Sequence, residues 1–172
     1  MAHRRTLNLT LVAFAALALA CPVAAQALDK PAGTVVLSLK DKIGQRNAGA
    51  QADFDLGMLE RLPQQTIGTK TPWDDQLVRF SGPLLRDVLA AAKATGTQLR
   101  AVAINDYKAT IPFEDLQRYG VIVALRMYDR PIPPRTRGPL WVIYPYDSAK
   151  SAAEKKDIEN RSIWQLRSIE IE

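Results

Sequence analysis

The sequence predicts an α+β fold that is mainly β, with a mixed or antiparallel sheet that could wrap into a partial barrel. Short segments rich in β-branched and apolar residues recur along the chain, as strands require. Few segments show helical spacing, and each of these stands alone between strand-like segments. No internal repeat or low-complexity linker divides the chain, so these segments are expected to form one domain.

The first half of the chain alternates strands with single helices. Residues 34–40 (TVVLSLK) read as a strand, and the small residues of 46–54 predict a loop. A short helix is expected over 55–63, where leucines recur at helical spacing and Pro63 ends the pattern. The segments 64–71 and 76–82 are predicted strands around a Pro72-Trp73 turn.

The clearest helix pattern is SGPLLRDVLAAAKATG, with Ser81 as its cap, Pro83 in its first turn and Gly96 at its end. A β-hairpin over 98–112 follows, turning near Asn105-Asp106. The remaining segments are a short helix and three strands, with either a polar helix or a loop before the last strand; in chain order they cover 112–120, 121–129, 139–147, 151–160 and 164–172.

The N-terminal segment is predicted to be a cleavable export signal. Arg4 and Arg5 precede an uncharged run over 11–20, which is too short for the roughly 20 apolar residues of a membrane span. Ala25-Gln26-Ala27 supplies a small-x-small cleavage motif. Cleavage would separate a signal peptide over 1–27 from a single domain over 28–172, with a periplasmic location.

A lipoprotein signal acylated at Cys21 is the alternative interpretation of the same segment. Such a signal needs a large apolar residue three places before the cysteine, and Ala18 stands there. We therefore favour soluble export, in which Cys21 is discarded.

The predicted mature chain contains neither cysteine nor histidine, because Cys21 and His3 are the only ones in the sequence. Disulfides, Cys/His zinc sites, haem ligation and nucleophiles activated by histidine are thereby excluded. No acidic cluster has the spacing of a calcium-binding loop. We therefore expect no metal.

The charge pattern argues against nucleic acid as a partner. Of the 23 Lys and Arg residues, 21 remain without Arg4 and Arg5, against 18 Asp and Glu residues. The basic residues are scattered, whereas a nucleic-acid-binding surface usually concentrates them in one stripe.

Five motifs in order resemble the sulfite oxidase fold, the oxidoreductase molybdopterin-binding domain. They are a G-x-x-L-x-x-x-L helix, a strand ending near a tyrosine, a turn, a G-P-L strand and a tryptophan before a closing I-x-I strand. In this chain they are Gly82/Leu85/Leu89, Tyr107, 129–132, Gly138-Pro139-Leu140 with Pro145, and Trp164 with Ile169/Ile171. The resemblance covers about residues 60–172 and implies the same fold.

The resemblance to the catalytic members of that family is incomplete. Those members place a cysteine thiolate on molybdenum in the segment before the G-x-x-L helix, and here that segment, QTIGTKTPWDDQ, has no cysteine. A fold alone does not establish an activity. One hypothesis is therefore a molybdopterin-dependent oxidoreductase of the sulfite oxidase class that lacks the cysteine ligand.

The hypothesis that we prefer follows from the segments TKTPW and GPLWVIYPYD, which resemble those of short, exported members of the fold. That resemblance implies a protein that binds a pterin, either molybdopterin or a simple reduced pterin, without metal chemistry. It also implies a partner, the periplasmic domain of a membrane-bound signalling protein such as a cyclic di-GMP enzyme or a histidine kinase. A scaffold with a vestigial pocket is a third possibility.

The candidate ligand-binding residues are those that could stack on a pterin or bond to its rim. Trp73 could provide a stacking face or merely plug the end of the sheet. Asp106 could accept the pterin N–H groups beside Tyr107, although Asn105-Asp106 also suits a plain turn. The resemblance places Arg137 at a cofactor contact, and Tyr146 could rim the pocket. Trp141 and Trp164 are expected to be core residues.

Overall fold

The computed structural model describes residues 27–172. The predicted export signal and the alternative acylation site at Cys21 lie outside the described residues, so both stay predictions. The predicted fold class is confirmed, because strands dominate and the helices stand singly among them. Among the helices described, none is both long enough and apolar enough to cross a membrane.

Twelve strands and four α-helices make up the described residues. The helices are α1 (Leu56–Arg61), α2 (Leu85–Ala91), α3 (Asp115–Arg118) and α4 (Ala152–Arg161). The strands are β1 (Val35–Asp41), β2 (Ala52–Asp55), β3 (Gln64–Thr71), β4 (Asp74–Pro83), β5 (Gln98–Ala103), β6 (Lys108–Pro112), β7 (Ile122–Ala124), β8 (Arg126–Met127), β9 (Arg130–Pro131), β10 (Trp141–Ile143), β11 (Ile163–Trp164) and β12 (Leu166–Ile171).

The strands form three sheets, of which the largest has the order β2-β1-β12-β5-β6. The last strand, β12, lies in its centre, parallel to β1 and antiparallel to β5. A four-stranded sheet has the order β3-β4-β8-β9, and a three-stranded sheet has the order β11-β10-β7. The sheets share one core of buried apolar side chains, so the described residues form one folded unit.

Helix α1 begins where the sequence predicts it, because the Asp55 side chain accepts a backbone N–H of its first turn. The Met58 backbone N–H donates to Asp55 Oδ1 at 2.7 Å, and the N–H groups of Ala32 and Gly33 donate to Oδ2, each at 2.7 Å. The bonds from Gly33 and Met58 hold the pKa of Asp55 below its ordinary value of 3.8. One carboxylate therefore caps the helix and fixes the segment before β1 against it.

The predicted loop over 46–54 is wrong at its C-terminal end, where β2 begins at Ala52. All four residues of β2 are buried, including Phe54. The four residues do alternate between apolar and polar, as Ala-Asp-Phe-Asp, but so short a pattern after a run of small residues does not distinguish a strand from a loop.

The predicted start and end of the main helix are also wrong. Ser81 and Pro83 belong to β4, and α2 begins only after Leu84 and ends at Ala91, well before Gly96. Gly82 lies so close to the neighbouring backbone that a Cβ there would stand 1.9 Å from the Val123 carbonyl oxygen. The glycine therefore serves strand packing rather than a helix start.

Two predicted strands are shorter than expected. The segment 121–129 divides into β7 and β8, which belong to different sheets. The segment 139–147 is a strand only over Trp141–Ile143 and ends in a 3₁₀ turn, Tyr146–Ser148. The sequence predicts Tyr146 at the end of a strand, whereas the residue lies in this turn.

The predicted last strand over 164–172 is broken at Gln165, because Trp164 belongs to β11 whereas Leu166–Ile171 forms β12 in another sheet. The other elements lie where the sequence predicts them. The hairpin is β5–β6, and Asp106 in its turn has a φ of 64°, which asparagine and aspartate tolerate better than most residues. Residues 151–160, which the sequence leaves open between helix and loop, form most of α4. Ser151 caps α4 by accepting the Glu154 N–H at 3.1 Å.

A buried polar network ties α4 to the core. Asp115, 1% exposed, accepts from the Tyr144 hydroxyl at 2.8 Å and from Arg161 Nη1 at 2.9 Å. Burial, and then the Asp115 carboxylate, raise the pKa of Tyr144 far above its ordinary value, so Tyr144 stays protonated and donates. Because Arg161 is the last residue of α4, this network fixes where the end of the helix lies.

Candidate functional site

A cleft of about 290 Å³ opens where three separate segments meet. The β3–β4 turn supplies Trp73, the end of β5 and its turn supply three residues, and the segment from α4 into β11 supplies the rest. The lining residues are Trp73, Ala103, Asn105, Tyr107, Glu159, Asn160, Ser162, Ile163 and Trp164. The cleft is thus built from residues up to 91 positions apart in sequence.

Aromatic rings form one wall of the cleft. Trp73 lies at the two-residue turn between β3 and β4, where Thr71 pairs with Asp74. Its ring centroid is 5.1 Å from that of Trp164, edge-on, and 5.6 Å from that of Trp141. Trp141 is fully buried behind it, whereas Trp73 and Trp164 are half-buried and line the cleft. The cleft therefore has apolar ring surface on which a flat ligand can lie.

A short polar chain fixes the position of the Trp73 turn. Thr71 Oγ1 accepts the Trp73 backbone N–H at 3.2 Å and donates to Asp74 Oδ2 at 3.0 Å. Arg137 donates to the same carboxylate oxygen at 2.8 Å, and its guanidinium lies 5.0 Å from the Trp141 ring centroid. Arg137 thus supports the aromatic wall from behind and does not line the cleft.

Two buried polar atoms behind the wall lack a hydrogen-bond partner within the described residues: Trp141 Nε1 and the Tyr146 hydroxyl. Tyr146 lies edge-on to Trp73, 6.0 Å away between ring centroids. Burial raises the pKa of Tyr146, and the Glu159 carboxylate raises it further, whereas Ser162 and Arg137 act in the opposite direction. The Tyr146 hydroxyl is therefore a protonated donor close to the polar side of the cleft.

The polar side of the cleft comes from the end of α4 and the residues after it. Glu159 is partly exposed, at 31% of its side chain, and its Oε2 lies 3.2 Å from Lys156 Nζ. Asn160 is exposed, and Ser162 is buried and donates to the Ile158 carbonyl at 2.9 Å. Asn105 faces the cleft from the β5–β6 turn. No lysine or arginine is among the described residues that line it.

The structure brings together four of the five residues predicted from the sequence. Trp73 and Tyr107 line the cleft, and Arg137 and Tyr146 lie directly behind its aromatic wall. Asp106 is not among the lining residues, and its exposed carboxylate accepts from Arg167 Nη2 at 2.9 Å. This position agrees with the turn interpretation of Asp106, and a contact of Asp106 with a ligand stays a prediction.

Several lining residues are absent from the sequence-based candidates. The sequence predicts that Trp164 and Trp141 are core residues. Trp164 is instead half-buried in the cleft wall, whereas the burial of Trp141 is confirmed. Glu159 and Asn160 lie in the last turn of α4, and Ser162 follows it; the polar sequence of this helix is typical of a solvated surface. No local sequence pattern identifies them as lining residues, since it is the packing of α4 beside the β5–β6 turn that places them at the cleft.

The described residues contain no cluster of three or more His, Cys, Asp or Glu side chains that could hold a metal ion. Among protein families, the one described as the oxidoreductase molybdopterin-binding domain matches residues 57–156. The matched segment begins in α1 and ends within α4, so it includes the Trp73 turn and the first half of α4. A comparison with curated proteins gives no significant match.

Proposed function

Because the chain belongs to the oxidoreductase molybdopterin-binding domain family, we propose that it is a pterin-binding protein of the periplasm. It holds the pterin in the aromatic cleft, without molybdenum redox chemistry, and signals occupancy to a membrane-bound enzyme. The observation that carries this proposal is the cleft itself, in which Trp73, Tyr107 and Trp164 face a set of amide and carboxylate groups.

The lining fits the chemistry of a pterin ring. A pterin is a flat aromatic ring system, and its rim carries both hydrogen-bond donors and hydrogen-bond acceptors. The indole rings offer stacking surface, and Asn105, Glu159 and Asn160 offer donors and acceptors at the rim. The cleft volume of about 290 Å³ is near the lower end for ligand sites, which supports a compact bicyclic ring rather than a large cofactor.

The lining does not fit the remainder of a metal-bearing molybdopterin. Residues 28–172 contain no cysteine, so no protein thiolate is available to a molybdenum ion. A terminal phosphate needs a cation or backbone N–H groups, and no Lys or Arg lines the cleft within the described residues. Arg137, the nearest guanidinium to the wall, is already bonded to Asp74. These features support a simple reduced pterin over molybdopterin as the ligand.

Purified residues 28–172 should bind a reduced or oxidised pterin with one site per chain. The aromatic wall contains indole rings, so the bound heterocycle should quench tryptophan fluorescence, and a titration of this quenching measures the affinity. Molybdenum should be absent at stoichiometric level from protein isolated from its native compartment. Stoichiometric molybdenum, or no quenching by any pterin, would refute the proposed function.

The segment 129–137 is our candidate for the contact with the signalling partner. Arg130 and Arg135 are exposed, and within the described residues their side chains form no ion pair. The end of the segment is tied to the cleft, because the Arg137 carbonyl accepts the Gln165 N–H at 3.0 Å, next to Trp164. Its three prolines restrict the backbone, so a shift at the cleft should be transmitted along the segment.

Arg135→Glu should weaken association with an acidic surface of the partner and leave pterin affinity nearly unchanged, since Arg135 is exposed and is not among the residues that line the cleft. Arg137→Ala should weaken both, because it removes support from the Trp73 turn. Co-purification of a membrane-bound cyclic di-GMP enzyme or histidine kinase from native cells measures the association. Unchanged co-purification of both variants, with and without pterin, would exclude this segment as the contact.

A further inference from the structure

We propose that Glu159 recognises the amino-bearing edge of the pterin ring, and so makes the cleft specific for aminopteridines over their oxo analogues. This inference rests on the proposed function and states which part of the ligand the protein selects. Glu159 is the only acidic residue among the described residues that line the cleft. Asp106, the carboxylate expected from the sequence to play this part, is not among the residues that line the cleft.

The position of Glu159 makes its carboxylate available to a ligand. It lies in the last turn of α4, at the cleft, with 31% of its side chain exposed. Its contact within the described residues is with Lys156 Nζ, at 3.2 Å from Oε2. The Lys156 side chain is 63% exposed, and an exposed ion pair of this kind contributes little free energy. A ligand donor can therefore replace or share this contact.

The chemistry of the ligand edge matches a carboxylate. The exocyclic amine and the adjacent ring N–H of a pterin point in nearly parallel directions, and they are spaced for the two oxygens of one carboxylate. Such bidentate bonds to a charged acceptor are shorter and stronger than bonds between neutral groups. Lumazine, in which an oxygen replaces the exocyclic amine, presents a lone pair there, and a carboxylate repels it.

The neighbouring groups complete the recognition. Asn160 follows Glu159 in the chain, and within the described residues its side chain makes no hydrogen bond. Asn105, across the cleft, accepts the Tyr107 backbone N–H on its Oδ1 at 3.3 Å. A carboxamide can both donate and accept, so these two can bond the ring carbonyl and ring nitrogens. With one carboxylate and no cation in the lining, the cleft favours neutral, donor-rich ligands over anionic ones.

The test compares pterin with lumazine on purified residues 28–172, using fluorescence titration or calorimetry at constant pH. The wild type should bind pterin at least about tenfold more tightly than lumazine, since a buried acceptor left without its donor costs affinity. Glu159→Gln should weaken pterin binding by about tenfold and bring the two affinities together, because the glutamine amide donates to the lumazine oxygen. The matched control is Asp157→Asn, which removes a carboxylate from the same helix outside the cleft.

The outcomes separate this inference from the function on which it rests. Equal affinity of the wild type for both ligands, together with an unchanged Glu159→Gln variant, would overturn the role of Glu159 and leave pterin binding intact. No binding of either ligand would overturn the proposed function and the inference with it. A loss of affinity in Asp157→Asn as large as in Glu159→Gln would also overturn the role of Glu159, because the loss would then come from the changed charge of the helix. Thermal unfolding of each variant verifies that it is folded.

Discussion

Replacing Trp73 with alanine is expected to weaken pterin binding by about 10- to 100-fold, since stacking of a heterocycle on an aromatic side chain contributes roughly 1–3 kcal/mol. Trp73 lines the cleft and contacts three other rings, those of Trp141, Tyr146 and Trp164. Its removal takes away the stacking face and loosens the wall. Fluorescence from the remaining tryptophans, or calorimetry, reports the affinity.

Two variants control this result. Trp73→Phe keeps an aromatic face and should retain most of the affinity. Leu77→Ala removes an apolar side chain from the adjacent strand, where Leu77 is 61% exposed, and should leave binding unchanged. Wild-type affinity in a folded Trp73→Ala protein would show that this residue only closes the end of the sheet, as the alternative interpretation of its sequence position holds.

Replacing Asp115 with alanine is expected to lower the free energy of unfolding by about 3 kcal/mol, which is the scale for breaking a buried charged pair. The Tyr144 hydroxyl would lose its acceptor inside the core, and Arg161 would lose its buried counterion. For a chain of this size, the midpoint of thermal unfolding should fall by roughly 6–12 °C. Because Arg161 ends α4, the side chains of Glu159 and Asn160 should also lose their fixed positions, and pterin affinity should fall.

The control for Asp115→Ala is Asp157→Asn, which changes the other carboxylate beside the same arginine. Asp157 is 60% exposed and lies 3.7 Å from Arg161 Nη2, so its loss should change the free energy of unfolding by less than about 1 kcal/mol. Similar unfolding midpoints for the two variants would contradict the structural role that we assign to the buried network.

The sequence predicts those elements whose signals are local. The Pro72-Trp73 turn, the short helix α1 and the β5–β6 hairpin each follow from residues within a few positions. The start of α2 does not, because Gly82 looks like part of a helix start and is instead required by the Val123 carbonyl 41 positions further along the chain. The division of 121–129 between two sheets likewise depends on strand partners, which periodicity does not identify.

The residues of the candidate site can likewise be predicted from the sequence only where their signal is local. Trp73 and Tyr107 can be predicted because they are aromatic residues in turns, where ligand contacts are common. Asp106 has the right chemistry but lies outside the lining, and its carboxylate accepts from Arg167. Glu159 resembles any carboxylate on a solvated helix, and its place beside the aromatic wall depends on tertiary contacts of that helix, among them the bond between Arg161 and Asp115.

A crystal structure of residues 28–172 with a bound pterin would show whether the aromatic cleft is the pterin site. We expect one pterin in the cleft, with its ring against Trp73 or Trp164 and its amino edge directed at Glu159. The Arg137–Asp74 contact behind the wall should remain in place. A pterin bound elsewhere on the protein, with this cleft filled only by solvent at saturating ligand, would show that the aromatic cleft is not the pterin site.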